Sequence, residues 1–418
     1  MKASVIKNIV LIISPFLVFN QNLFAGNGTS ILGQNLAANV NVVTTAVPFL
    51  LIGPDARAGG MGDAGVASMP DANSIHWNPA KLAFIPDSDK MGFSVSYAPW
   101  LRQLVPDINL SYLSFYYKLP DHQAIAASLR YFSLGNIEFT DNNGVTIGNF
   151  NPNELAFDVA YSRQLSDNFS VGMAARYIYS NLTGASAVSG VYTHPGQSLG
   201  VDISSFYTSK EVTVGDKKST YAVGIDISNI GPKISYSNSG ETDFLPTNMR
   251  LGGALNMELD KYNRLSFLVD ATKLLVPTPP VYELNSSGSP VINPSTGLPV
   301  ITAGQNPNVG PAQGIFQSFT DAPGGSLEEF HEIDWSGGME YTYDNQFAAR
   351  AGFFYEDKTK GGREYFTMGA GFRLTTLYID AAYLIPISQQ NPLQNTLRIS
   401  LGFNFGKSKG NKAPADAN

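Results

Sequence analysis

Cysteine is absent from all 418 residues. A chain without thiols has no disulfide framework, no lipidated cysteine and no cysteine-based zinc site. Charge is scarce too: Asp, Glu, Lys and Arg make up 15% of the chain, against roughly 25% in ordinary soluble domains. Histidine occurs only as His76, His122, His194 and His331, and no pair stands at metal-ligand spacing. No metal and no cofactor is therefore expected. Beyond Ala25, no apolar run approaches the ~20 residues that a spanning helix needs. The net charge of −7 argues against a nucleic-acid partner.

What the chain does have is glycine (40), phenylalanine (25) and tyrosine (20), with a mean hydropathy of only −0.06. It opens with Lys2 and Lys7 ahead of an apolar run from Ile9 to Phe19, broken by Pro15, and then Leu23-Phe24-Ala25. That order is the pattern of a secretory signal peptide, expected over 1–25 with cleavage after Ala25. Export combined with few charges, many aromatics and no hydrophobic helix leaves one economical architecture. Backbone groups in lipid must be paired internally, so a membrane chain without spanning helices must close a barrel.

Period-two alternation supports this to the C-terminus. Leu397, Ile399, Leu401, Phe403 and Phe405 share one face, opposite Thr396, Arg398, Ser400, Gly402 and Asn404. Phe366, Met368, Ala370 and Phe372 alternate in the same way with Thr367, Gly369, Gly371 and Arg373. The polar faces carry Gly, Ser and Ala rather than Lys and Glu, as a narrow lumen would select. Fourteen such segments begin near Met91, Ile108, Gln123, Leu155, Phe169, Gly200, Tyr221, Met249, Leu265, Ile333, Phe347, Tyr365, Leu377 and Thr396. Connections after even-numbered segments are short, and those after odd-numbered segments are mostly long (134–153, 181–198, 229–246, 273–330, 385–394). Short periplasmic turns and long extracellular loops are the outer-membrane arrangement. The expected fold is all-β: a transmembrane antiparallel β-barrel of about 14 strands over 91–406.

Three regions fall outside the alternation. Residues 26–90 do not alternate; the Gly- and Ala-dense part from 50 to 84 is expected to form a hatch in the periplasmic mouth. Residues 273–330 form an unusually long loop, readable either as functional or as a mobile surface segment. The polar tail 407–418 is expected to be disordered.

Two motifs look like chemistry. Gly60-Met61-Gly62-Asp63-Ala64-Gly65 matches G-x-G-x-x-G, but a dinucleotide site needs it inside a βαβ unit. Glycines for close packing is the better reading. Neither His122, in a turn, nor His194, in a loop, has an evident serine partner, so no catalytic residue is expected and the chain is read as a non-enzyme. Asp158, Asp226, Asp270, Arg130, Arg176, Arg350 and Arg373 are expected to line the lumen, because charge on the lipid face is costly. Apolar residues at loop positions read as an interaction surface: Trp100, Leu101, Leu104 and Val105 in the first loop, Leu274, Leu275 and Val276 in the longest, and Ile385 in the last. A membrane-boundary aromatic belt is the competing reading for Trp100.

The segment carrying Asp71, Asn73, Ser74, Trp77, Asn78 and Pro79, ahead of fourteen strands, resembles the hatch of the FadL fold. Over about 50–406 the chain is similar to the PorV (LptO) family, the FadL-like outer-membrane proteins of the type IX secretion system of Bacteroidetes. The stretches that carry this likeness are PDARAGGMGDAGVASMPDANSIHWNPAKLAF (54–84), YAPWLRQLVPDINLSYLSFYYKL (97–119), SLRYFSLGNIEFTD (128–141) and NELAFDVAYSRQLSDNFSVG (153–172). The resemblance implies an outer-membrane protein that binds the translocon barrel SprA (Sov), receives cargo through its C-terminal signal domain, and passes it to the PorU-containing attachment complex. It also implies contact with outer-membrane lipid. By the same likeness the first-loop residues Trp100, Leu101, Leu104 and Val105 would touch translocon or cargo, and the long-loop and last-loop residues extend that idea. The alternatives are a FadL-type transporter of hydrophobic small molecules and, more remotely, an enzyme acting on lipid A.

Overall fold

The structure, a computed structural model, describes residues 40–406 apart from 102–106, 141–145, 183, 185–186, 189–190, 239, 388–392 and 395. The expected signal peptide and C-terminal tail lie outside the described residues.

Fourteen long strands run antiparallel around one sheet: β1 Met91–Pro99, β2 Ile108–Leu119, β3 Gln123–Leu134, β4 Asn153–Ser166, β5 Phe169–Asn181, β6 Gly196–Thr208 and β7 Lys217–Ile230. The remainder are β8 Asn248–Glu258, β9 Asn263–Leu274, β10 Ile333–Tyr343, β11 Phe347–Tyr355, β12 Glu364–Arg373, β13 Leu377–Pro386 and β14 Leu397–Phe405. Each pairs with its neighbour in sequence. The last closes on the first, from Met91↔Phe405 to Tyr97↔Ile399, so no edge is left open. Each strand begins within four residues of where the alternation placed it.

The faces are inverted relative to a soluble protein. Val95, Tyr97, Leu113, Phe115, Val159, Ile225 and Met339 point outward and are exposed. Ser94, Ser114, Ser128, Asp158, Asp226 and Glu340, on the opposite parity, are buried in the lumen. Only a hydrocarbon surround makes that pattern favourable, so the barrel is a membrane barrel. Among the described residues no helix is long and apolar enough to cross a membrane. One rim carries short turns such as 120–122, 344–346 and 374–376, and the opposite rim carries the long loop 275–332.

Residues 46–85 occupy the lumen, and the plug reaches further than the periplasmic mouth. At the loop rim Asn41 N–H donates to Thr359 O at 2.8 Å and Ala46 N–H to Phe244 O at 3.0 Å. At the turn rim Lys118 Nζ donates to Ile85 O at 2.6 Å. The chain thus threads the barrel from its loop rim to its turn rim before β1 begins. Two short helices, α1 (Ala56–Gly59) and α2 (Ser74–Trp77), sit within this thread. Asp55 caps the first, accepting from Ala58 N at 2.9 Å. Asn78 and Pro79 start a 3-10 turn over Pro79–Phe84, with the Asn78 side chain accepting from Ala80 N at 3.1 Å.

The long loop 275–332 is ordered rather than bare. It holds a small hairpin, Val281–Tyr282 with Ile301–Ala303, and two helices, α3 (Pro311–Gln317) and α4 (Ser326–His331).

Candidate functional site: the plugged lumen and its loop rim

The plug is locked to the wall by charge. Glu340, on β10, accepts from Arg57 of the plug (2.9 Å) and from Arg350 of β11 (2.7 Å), and Arg350 also pairs with Asp380 of β13 (2.7 Å). Arg57 reaches Asp71 at 3.0 Å. Arg398 of β14 pairs with Asp63, whose carboxylate also accepts from the Tyr365 hydroxyl at 2.7 Å. Arg176 bridges Asp158 and Asp202 at 2.5 and 3.0 Å. Asp270 accepts from the backbone N–H groups of Gly65 (2.7 Å) and Val66 (2.9 Å). Of the seven charged residues expected in the lumen, six are buried there; Arg373 is instead exposed at the turn rim, its guanidinium over Tyr378. Sequence reasoning passed over Asp202, Arg250, Glu340 and Asp380, although each stands at the inward parity of its strand.

The hatch motif residues act on the plug itself. Asp71 accepts from Asn73 N at 2.9 Å, and Asn73 Oδ1 accepts from Ser114 of β2 at 3.0 Å. Ser74 Oγ accepts from Asp71 N at 3.0 Å. Trp77 Nε1 donates to Asp55 at 2.6 Å, and Asn78 Nδ2 donates to Ser205 O on β6 at 3.0 Å. Burial, then the neighbouring Asp71 carboxylate, pushes the Asp55 carboxyl up to about 6. Burial, then the Arg130 guanidinium, holds His76 well below its ordinary range. The imidazole is therefore neutral, and its Nδ1 accepts from Arg130 at 2.6 Å. Arg130 is buried with no carboxylate among the described residues and instead donates to Phe49 O and Leu50 O.

The G-x-G-x-x-G run is a packing motif. Gly62 has φ +70° and lies so close to β11 that a Cβ on Gly352 would meet Gly62 N and Met61 C at 2.1 Å. Backbone-to-backbone contact of this kind needs glycine on both sides.

At the loop rim the lumen is floored with hydrocarbon. Val47, Phe49 and Leu50 of the plug pack with Leu110, Phe132, Ile178, Ile234 and Leu245. A second cluster joins Phe354, Tyr365, Leu384 and Leu393. Trp100 and Leu101 touch both clusters. Trp100 N–H donates to Ile108 O at 3.0 Å, and the Arg398 guanidinium stands 5.8 Å from its ring. Trp100 therefore faces the plugged lumen and is no part of a lipid-level belt. Leu101, half-buried with φ 50°, turns the chain beside it. Leu104 and Val105 lie outside the described residues.

Four expected loop residues are placed differently. Leu275 and Val276 are each 2% exposed, and Leu274 is half-buried as the last residue of β9, so they form no exposed patch. Their burial follows from the loop folding back, with Leu275 N–H donating to Thr247 O at 2.7 Å. Ile385 is not in a loop: β13 continues to Pro386, and Ile385 faces outward opposite Phe366. The exposed large apolar side chains of the long loop are instead Val281, Ile292, Leu298, Phe316, Phe319, Leu327 and Phe330. Nothing in the strand-type alternation announced the most exposed of them, Phe316, Leu327 and Phe330, because they sit on short helices inside a Pro- and Gly-rich stretch.

Two cavities open at the turn rim, of about 190 Å³ and about 320 Å³. Arg57, Asp71, Arg264 and Glu340 line the first; Glu211, Lys218, Glu258 and Arg264 share the second with Phe84 and Phe206.

A family model described as "Type IX secretion system protein PorV" matches residues 35–281. Solved structures similar to the chain include a TodX deltaS2S3 mutant monoaromatic hydrocarbon channel, at 13% identity and TM-score 0.49 over 85% of this chain and 99% of that one. The Pseudomonas putida toluene transporter TodX is similar at 13% identity and TM-score 0.46, over 88% and 99%. A Pseudomonas aeruginosa FadL homologue is similar at 13% and 0.42, over 88% and 99%. No curated protein matches the chain.

Proposed function

The chain belongs to the PorV family of type IX secretion system proteins of the outer membrane, and from that premise we propose that it works as a non-catalytic carrier at the cell surface. In this reading it binds the translocon barrel and the C-terminal signal domain of secreted cargo on its extracellular side, then delivers the cargo to the attachment complex. The observation that carries the proposal is the filled lumen. Residues 46–85 occupy the barrel from rim to rim and are tied to its wall by Glu340, Asp270, Arg398 and Ser204. A folded protein has no route through such a barrel, so cargo must be met outside it.

The alternative, passage of small hydrophobic molecules, asks for an apolar pocket. The turn-rim cavities mix apolar side chains such as Phe84, Ile85, Phe347 and Phe372 with Arg57, Arg264 and Glu340, and they lie at or below the small end of ordinary ligand sites, which span roughly 300–1,000 Å³.

Affinity capture of the tagged protein from its native outer membrane tests the proposal, with wild type beside a Leu104→Asp, Val105→Asp variant. Wild type should recover a very large barrel and signal-bearing cargo, and the variant should lose them while remaining folded. Recovery of neither by wild type, together with saturable binding of long-chain lipid, would replace this reading with the transporter.

A further inference from the structure

Lys273 is the anomaly that opens this inference. On β9 the odd-numbered residues Phe267 and Val269 face the membrane and are exposed, while Ser266, Leu268 and Asp270 face the lumen. No register shift intervenes up to Lys273, which pairs with Ile333. Lys273 therefore points outward from the barrel, yet it is 6% exposed. What covers it is the end of the long loop. Lys273 Nζ donates to Glu329 at 3.0 Å and to Glu332 at 2.5 Å. Lys360, from the β11–β12 connection, adds bonds to Glu328 (2.6 Å) and Glu332 (2.9 Å). Helix α4 is thus strapped by its acidic side onto the outside of the barrel wall.

The strap fixes which way the rest of α4 faces. Glu328, Glu329 and Glu332 turn toward the lysines, and Leu327 and Phe330, three residues apart and hence on one helical face, are left 67% and 55% exposed. Phe330 lies 6.4 Å, ring to ring, from Trp335. Trp335 is on the outward parity of β10, in line with the exposed Met339, Tyr341 and Tyr343. From Trp335 to Tyr343 is eight residues, about 27 Å along the strand and about 20 Å along the barrel axis once a tilt near 40° is allowed for. The apolar band of an outer-membrane barrel is about 25 Å tall and flanked by aromatic girdles. Trp335 and Tyr343 thus stand at its two borders, and Phe330 sits at the upper one.

We infer that the outward face of α4 is a membrane foot: Leu327 and Phe330 seat in the boundary of the outer leaflet, and the occupant of this face is lipid. The face is continuous with the lipid-facing band through the Phe330–Trp335 contact, and its charges are all turned inward and paired. The device also explains the two lysines. An outward ammonium at this height is costly to leave bare, and the Glu329 and Glu332 carboxylates neutralise it beneath an apolar cover. The foot fixes the height of the long loop above the membrane.

The cysteine-free sequence makes the test direct. Leu327→Cys and Phe330→Cys variants, each exposed and so tolerant of change, would be spin-labelled in the full barrel reconstituted in bilayers of outer-membrane lipid. Met339→Cys in the apolar band and Ser287→Cys in the exposed hairpin region serve as references. Labels at 327 and 330 should be several-fold less accessible to a water-soluble nickel chelate than the label at 287, and should favour oxygen as the label at 339 does. Nickel accessibility equal to that at 287 would overturn the inference. So would labels that stay wet in lipid and become protected only in native membranes, because the face would then be a protein-docking surface.

Discussion

Replacing Glu340 by Gln should loosen the plug without unfolding the barrel. Glu340 is buried and receives three hydrogen bonds, two from Arg57 (2.9 and 3.1 Å) and one from Arg350 (2.7 Å). Gln keeps the volume but removes the charge, and its amide N–H₂ must face an arginine donor. Breaking a buried ion pair from one side costs about 3–5 kcal/mol, because the stranded charge cannot return to water. Arg57 keeps Asp71 at 3.0 Å and Arg350 keeps Asp380 at 2.7 Å, so the low end of that range applies. At 1.4 kcal/mol per tenfold, about 3 kcal/mol is a roughly 100-fold rise in plug opening. Amide hydrogen exchange reads this at Gly62, Gly65 and Val66, whose N–H groups are bound to Thr367 and Asp270 on the wall. Strand amides of β4 and β5 should be unchanged, since their pairing does not involve Glu340. A change below about threefold at the plug amides, the size of an ordinary surface substitution, would refute the idea that this cluster holds the plug.

Other consequences follow from the same geometry. Gly352→Val would drive side-chain atoms into the backbone at Met61 and Gly62, and should leave an assembled barrel with an exchange-labile, protease-sensitive plug. Val40→Cys should react with a membrane-impermeant maleimide on intact cells, because the thread enters the lumen from the loop rim, where Val40 is 61% exposed; labelling only after the outer membrane is opened would reverse the direction of the thread. The Asp55 carboxyl sits at about 6 against an ordinary 3.8. Its folded value is the higher one, so its contribution to plug stability is full below about pH 4 and is lost as pH rises through 6. The plug should therefore be looser at pH 8 than at pH 5, and Trp77 emission should titrate near pH 6 in wild type and not in Asp55→Asn.

The barrel was legible because its physics is local. A strand with lipid on one side and a narrow lumen on the other must alternate, so segments such as 365–373 and 396–405 declare both their type and their inward face. Lumen charges were legible for the same reason at Asp158, Arg176 and Arg350. The plug's path was not, since its course is set by contacts such as Ala46 with Phe244 and Gly65 with Asp270, which no local period encodes. The long loop misled in a related way. Leu275 and Val276 read as exposed because they precede Pro277 in a loop-like composition, yet the loop folds over them. Helix α4 is held by Lys273 and Lys360, the second of them 28 residues from Glu332. A helix of six residues is too short to signal itself by periodicity. Ile385 reads as loop because Pro386 ends the pattern, yet the strand runs to that proline.

The central claim is that cargo is handled outside a barrel whose lumen stays plugged, and a reversible lock tests it most directly. Ala80 N–H lies 3.0 Å from Ser204 Oγ, joining plug to wall, and the chain offers no other thiol to interfere. An Ala80→Cys, Ser204→Cys variant would be assayed for cargo secretion with the disulfide formed and again after reduction. The account predicts secretion at the wild-type level in both states. Secretion that stops when the plug is locked and resumes when it is released would contradict it.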